Sequence, residues 1–286
     1  MLMLVDAATL YFRAYYALPD TLVDASGRAN NAIRGFFDGL RVLRDRYAPE
    51  HIIACWDEDW RPQWRVDLVP SYKTHRLATE GAEEVPDTLS PQIPAIAELC
   101  SALGVPVLGA PNLEADDVVA ALAFATTEPV IIVSGDRDLT QLVDDASQRR
   151  FAYLGTGVGT HTLYDESLVH ATYGVRADQY VDFATLRGDP SDGIPGAPGI
   201  GAKTAAQYLA AFGDLNTTLD AAQHATPPLT QKKAATLREH ADALRAMQRV
   251  ITLRPTPLRA PVSEPNPLTA ATIAAEWGVT SLIARW

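Results

Sequence analysis

The stretch VIIVSGDRD (130–138) decides how this chain is read. Four β-prone apolar residues run into a small Ser-Gly turn, and two acids follow at i and i+2. A short unbroken apolar run of this kind predicts a parallel strand buried on both faces. The same grammar occurs twice more, in MLMLV (1–5) before Asp6 and in HIIACW (51–56) before Asp57. VPVL (105–108) is a fourth strand candidate. Between the runs lie helical patterns. NNAIRGFFDGLRVLRDRY (30–47) repeats apolar residues at Ile33, Phe36, Phe37, Leu40 and Leu43, SPQIPAIAELCSALG (90–104) ends on a capping glycine, and LEADDVVAALAFA (113–125) is a third helix. Strands alternating with helices predict an α/β domain with a parallel sheet and helices on both faces. Ligands of such sheets gather at the carboxyl ends of the strands, where Asp6, Asp57 and Asp136 fall.

From about residue 165 the pattern turns helical, in YDESLVHATYG, ADQYVDFATLRG, KTAAQYLAAFG and TQKKAATLREHADALRAMQRVI. The division expected is an α/β domain over 1–165 and a helical region over 166–286. RPTPLRAPVSEPNP (254–267), with five prolines, reads as an extended surface strap. The first acid comes after five apolar residues with no basic leader, which predicts neither a signal peptide nor a membrane span. Cys55 and Cys100 lie in apolar surroundings and read as buried reduced thiols, in keeping with a cytoplasmic protein.

A net charge of −11 argues at first against a nucleic-acid partner. The distribution reverses that inference. Asp6, Asp57, Glu114, Asp116, Asp117, Asp136, Asp138, Asp189 and Asp192 form tight clusters, and removing those nine charges from −11 leaves −2. In LEADDVV, Glu114 and Asp117 stand at i and i+3 with Asp116 beside them. SGDRD and GDPSD add further pairs. Like charges this close repel unless a cation compensates them. Oxygen-only ligands point to a hard ion, Mg²⁺ or Mn²⁺. An EF-hand opening at Asp136 is excluded, since Gln141 takes the glycine position and Ser147 the final-glutamate position. Two divalent ions about 4 Å apart can clamp a phosphodiester, activating water and neutralising charge on the attacking and leaving oxygens. The six histidines fall in no zinc spacing and receive no role.

Arg61, Arg65, Lys73, His75 and Arg76 are interleaved with Trp60, Trp64 and Tyr72. Basic groups hold phosphates and aromatic rings stack on unpaired bases, although Trp60 and Trp64 would equally serve by packing on the body. IPGAPGIGAKTAAQYL (194–209) reads as helix, tight turn, helix, with N–H groups at the second helix start suited to a phosphate.

These motifs in this order resemble the 5′-nuclease family: flap endonucleases, phage 5′-exonucleases and the N-terminal domain of bacterial DNA polymerase I. The matching stretches are LVDAATLYFRAYYAL (4–18), WD (56–57), YKTHR (72–76), EADDVVA (114–120), SGDRDLTQLV (134–143) and LRGDPSDGIPGAPGIGAKTA (186–205). The resemblance implies a PIN-like core, an arch over about 58–90, and a helix-hairpin-helix-type (H3TH) motif over about 186–212. It assigns Asp6, Asp57, Glu114 and Asp116 to one metal and Asp136, Asp138 and Asp189 to another. Asp117 and Asp192 become outer-shell groups or ligands of a third. Lys73 matches the lysine that approaches the scissile phosphate, and Arg76 its basic partner. Gly199, Ile200, Gly201 and Lys203 match the duplex grip, which in the family often binds K⁺ through carbonyls. Arg13 matches a basic position facing DNA, with a structural ion pair as the alternative, and Arg61 and Arg65 fall in the DNA-facing arch. Ala7, Trp56 and Gly193 depart from the family's usual Gly, Phe and Asn, and the segment 57–73 is longer than usual. None of these departures removes a carboxylate.

The implied activity is that of a stand-alone, monomeric 5′→3′ exonuclease and flap endonuclease in replication and repair. Its substrates would be flap, nicked or gapped DNA, and RNA-primed DNA. A PIN-like ribonuclease would not need the GIPGAPGIGAKTA element, and a non-catalytic DNA-binding paralogue would not need every carboxylate.

Overall fold

The computed structural model describes residues 1–78 and 83–286. The three acid-terminated runs are strands: β1 (Leu2–Asp6), β2 (His51–Cys55) and, later in the chain, β4 (Val130–Ser134). Between β1 and β2 come α1 (Ala7–Ala17) and α2 (Asn31–Tyr47). After β2 follow α3 (Gln63–Leu68), α4 (Gln92–Ala102), β3 (Val107–Leu108) and α5 (Ala115–Ala125). The sheet continues beyond β4 with β5 (Arg149–Tyr153) and β6 (Thr162–Tyr164), and its order is β3-β2-β1-β4-β5-β6. All neighbours pair in parallel except β5 and β6. β5 and β6 were not expected. RRFAY is too polar and TLY too short to read as strands alone; pairing with β4 recruits the first, and pairing with β5 the second. The fourth expected strand shrinks to Val107–Leu108.

Alternation along each strand builds two cores. Met3, Val5, Ala54, Ile131 and Val133 face α1, α2 and α4, against Ile33, Phe36, Leu40 and Leu43. Leu2, Leu4, Ile53, Cys55, Val130 and Ile132 face the other way, against Val118, Val119 and Leu122 of α5. Helices therefore cover both faces, as expected, and the buried strands hold period-2 side chains on each. Cys55 and Cys100 are buried free thiols.

After α6 (Glu166–Tyr173) a separate helical core forms from α7 (Tyr180–Arg187), α8 (Ala202–Phe212), α9 (Leu215–Gln223), α10 (Gln231–Glu239) and α11 (Ala241–Ile251). The stretch read as one helix over 230–251 is two, broken at His240. Its halves pack on different partners, α10 on α9 and α11 on α7, which one straight helix does not reach.

Two boundaries differ from expectation. Val169 of α6 belongs to the sheet core. Residues 267–286 leave the helical region altogether. The strap returns along the α/β unit, with Asn266 N–H donating to Ala102 O at 2.8 Å. Then α12 (Pro267–Glu276) and α13 (Thr280–Ile283) bury Ala270, Ile273, Ala274, Trp277 and Leu282 in the core beside α2 and α4. Among the described residues no helix is long and apolar enough to cross a membrane.

Candidate active site

Parallel pairing in register places the ends of β1, β2 and β4 at one edge, with Asp6 beside Cys55 and Val5 beside Val133. The acids that follow therefore open into one place. Asp6, Asp57, Glu114, Asp116 and Asp136 line a cavity of about 350 Å³ together with Lys73, Arg76, Arg137, Phe12 and Trp60. Asp138, Asp189 and Asp192 are buried alongside it.

Each carboxylate is held by its own local structure. Asp6 caps α1, accepting from Thr9 N–H at 3.0 Å, and also accepts from the Ser134 hydroxyl at 2.6 Å. Asp57 accepts from Ala115 N–H at 2.8 Å. Glu114 caps α5 and accepts from the Tyr72 hydroxyl at 2.8 Å, while the Lys73 ammonium donates to its second oxygen. Asp136 accepts from Asp138 N–H at 2.9 Å. Asp189 accepts from Ser191 N–H at 2.9 Å and from Arg187 at 3.1 Å. The Asp138 Oδ1 is buried without a partner among the described residues.

Arg65, expected at DNA, lies elsewhere. Its side chain is 1% exposed, and its two terminal nitrogens each reach an Asp117 oxygen at 2.8 Å, with Glu114 at 2.9 Å. It is a buried counter-ion beneath the site. Asp117 spends its oxygens on Arg65 and on Glu114 N–H, so its place is behind the cavity wall. Arg61 holds the Tyr72 carbonyl at 2.6 Å and thereby shapes the turn that carries Lys73. Arg76 donates to Asp192 at 3.1 Å and to Ser191 O at 2.8 Å.

The segment expected to form the arch contains α3 and a 3₁₀ turn at Thr74–Arg76, and its residues 79–82 lie outside the described residues. Its base is packed down. Val69 and Tyr72 are buried in the helical core, and α3 lies on α11. Gly193 explains one departure from the family pattern. At φ +69° a Cβ there would stand 2.3 Å from Ser71 O, so this loop meets the Lys73 turn through bare backbone. Lys73 itself sits at φ +48°, an uncommon conformation for a side-chain-bearing residue.

In the segment expected to carry the H3TH motif, Gly199 has φ +72°, Gly201 caps α8, and Lys203 is exposed in its first turn. The Ile200 side chain is buried, leaving only its backbone for a ligand. The Lys233 ammonium donates to the Gly199 carbonyl. Arg13 is half-buried on α1, and its Nε has no partner among the described residues.

Crowding shows in the titration of the acids. Burial, then the Asp6 charge, pushes Asp57 up to about 7. Burial, then Asp192 and Asp116, pushes Asp136 up to about 7. Burial raises Glu114 to about 8 despite Lys73 and Arg65, and burial followed by the Asp136 charge holds Asp138 well above the carboxylate range. Burial opposes charge on Lys73, but Glu114, Asp192 and Asp116 outweigh it and keep the ammonium protonated.

Among the described residues no three of these side chains converge on one cation position. The donor set nevertheless fits hard divalent ions. It is oxygen-only, it lines one cavity, it holds a buried unpartnered oxygen at Asp138, and its crowded charges are of the kind a cation relieves. Sequence reasoning missed Ser134, Thr9 and Ser191, which orient Asp6 and Asp189. Small hydroxyl residues beside acids carry no signal of their own before folding.

Residues 1–174 match the family described as "5'-3' exonuclease, N-terminal resolvase-like domain", and residues 175–266 match "5'-3' exonuclease, C-terminal SAM fold". The chain is 46% identical over 294 residues to a 5'-3' exonuclease of Streptomyces coelicolor, covering 99% of this chain and 98% of that one. It is 41% identical over 304 residues to a 5'-3' exonuclease of Mycobacterium tuberculosis, covering 99% and 96%. Its fold resembles that of the bacteriophage T5 flap endonuclease in complex with DNA and metal ions, at a TM-score of 0.68 and 20% identity, covering 99% of this chain and 96% of that one. With both of its regions matched and relatives of this identity aligned nearly end to end, the chain belongs to the 5′-3′ exonuclease family.

Proposed function

We propose that this protein hydrolyses DNA phosphodiester bonds at 5′ ends and 5′ flaps, using two divalent cations of the Mg²⁺ or Mn²⁺ type. The observation that carries the reading is the single cavity into which the ends of β1, β2 and β4 and the start of α5 deliver their carboxylates. Family relatives named as 5'-3' exonucleases support it, as does the T5 relative, a flap endonuclease captured with DNA and metal ions.

In this reading Asp6, Asp57, Glu114 and Asp116 hold one cation, and Asp136, Asp138 and Asp189 the other. Bound ions would activate water and neutralise charge on the phosphodiester. Lys73 moves its ammonium between Glu114 and the scissile phosphate, and Arg76 supports the same phosphate from beside Asp192. Arg65 and Asp117 form a buried ionic footing that fixes Glu114. Gly199, Gly201 and Lys203 offer backbone N–H groups and one cation to a duplex phosphate at the α8 start, where the helix dipole favours an anion. The working division is an α/β unit over 1–174 plus 267–286, with the helical duplex grip between them.

The test is cleavage of end-labelled flap, nicked, single-stranded and RNA–DNA hybrid substrates in Mg²⁺ and in Mn²⁺. Metal-dependent release of short products from 5′ ends or flaps is expected. Failure to cut any DNA, or preference for single-stranded RNA, would overturn the reading.

A further inference from the structure

Three cations line the acidic cavity: Lys73, Arg76 and Arg137. Two of them are committed within the protein, Lys73 to Glu114 and Arg76 to Asp192. Arg137 is different. Among the described residues it makes no ion pair and no hydrogen bond, although it is half-buried and has Asp136 and Asp138 as its chain neighbours. An arginine recruited to neutralise this carboxylate cluster would pair with one of its members. That is what Arg187 does with Asp189, and what Arg65 does with Asp117.

The backbone beneath Arg137 is fixed. It opens the 3₁₀ turn Arg137–Leu142, whose Leu139, Thr140 and Leu142 are buried. Asp138 N–H donates to Asp136 at 2.9 Å. Gln141 ties the turn to the end of α11, donating to Ile251 O at 3.0 Å and accepting from Leu253 N–H at 2.9 Å. A guanidinium is thus presented from a rigid base into a cavity built for phosphate chemistry, with its planar donor fork unspent. That fork matches two oxygens of one phosphate. It enters from the end of β4, whereas Lys73 and Arg76 enter from the 70–76 segment, so the cavity receives its cations from two different elements.

We propose that Arg137 binds a backbone phosphate adjacent to the scissile one, fixing the register of the strand across the carboxylates. This rests on the nuclease reading above, and it makes Arg137 a substrate-binding residue whose loss falls mainly on KM.

The test is steady-state cleavage of a 5′-flap DNA in Mg²⁺ by wild type, Arg137→Ala and Arg137→Gln, at several salt concentrations. The same substrate is then used with single methylphosphonate linkages placed along the strand near the cut. Removing one phosphate contact should raise KM about tenfold and lower the salt slope by about one unit in both variants. One methylphosphonate position should raise KM for wild type and have no further effect on the variants. Wild-type activity with unchanged KM and slope in both variants would overturn the role of Arg137 alone, as would a methylphosphonate profile identical in all three proteins. A wild type that cleaves no DNA would overturn the nuclease reading and this inference with it. Thermal melting of each variant guards against misfolding, and if one variant fails to fold, the methylphosphonate profiles of wild type and the other variant decide the matter.

Discussion

The backbone N–H of Lys73 donates to the carbonyl of Asp192 at 2.9 Å, joining the turn that carries the cavity's lysine to the loop that carries two of its acids. Ser71 reinforces the junction by donating to Gly193 O at 2.7 Å. The contact couples the base of the 57–90 segment to the helical region, and it holds Lys73 in its left-handed conformation.

Lys73→Ala removes the ammonium but not this backbone bond. Single-turnover cleavage should slow about 10²-fold, or roughly 2.7 kcal/mol, which is plausible for one electrostatic group at a reacting phosphate. Flap affinity should move far less. If the dissociation constant alone changed, Lys73 would be an anchor with no part in the chemistry.

Asp136→Asn and Asp189→Asn should each abolish Mg²⁺-dependent cleavage and leave the circular dichroism spectrum intact. Flap binding should persist or tighten, because a carboxylate that repels phosphate is gone. Near wild-type turnover in either variant at saturating Mg²⁺ contradicts the ligand assignment.

The raised carboxylates predict a pH dependence of stability. Asp57 and Asp136 have folded values near 7, above the ordinary value of about 4 in an unfolded chain. Between those values the folded state binds more protons than the unfolded one, so metal-free stability falls as pH rises through that window. The penalty is absent below it and complete above it. Melting of chelated wild type near pH 5 and near pH 8 should show this fall, and Asp136→Asn should lessen it. Added Mg²⁺ should stabilise wild type more at the higher pH. An equal pH slope in wild type and Asp136→Asn would refute the Asp136 contribution.

Arg65→Met should destabilise the fold by about 3–5 kcal/mol, since Asp117 and Glu114 lose a buried counter-charge. Urea denaturation reads this directly. Arg65→Lys should recover only part, because an ammonium does not bridge both oxygens. In that variant the salt dependence of DNA affinity should match wild type. A reduced slope would return Arg65 to the DNA surface.

Replacing Gly199 and Gly201 together with bulky residues should weaken binding to duplex-containing flaps and flatten its salt dependence, while barely changing cleavage of a short single strand. Equal losses on both substrates would indicate misfolding.

The sequence announced the sheet's central strands and, Glu83 apart, the carboxylates that line the cavity. Each central strand was a largely apolar run leading into an acid, a local signal that survives without tertiary context. Arg65 was misplaced because a basic residue beside a tryptophan looks the same whether it faces a phosphate or a buried aspartate. Its partner, Asp117, lies on a helix that reaches it only in the folded chain. β5 escaped notice because RRFAY becomes a strand through pairing with β4. The break at His240 also depends on tertiary packing, since α10 and α11 answer to different neighbours.

The return of residues 267–286 to the first core has a topological consequence. The helical region is an insertion, spliced into the α/β unit with covalent connections at both of its ends. A domain appended by one linker must search for its orientation each time it meets DNA. One suspended between two fixed attachment points has most of that search removed when the chain folds. On the proposed function, the distance from the α8 start to the carboxylates would then behave as a ruler stiffened at both ends, and the length of flap or end presented for cutting would become a property of the backbone's path.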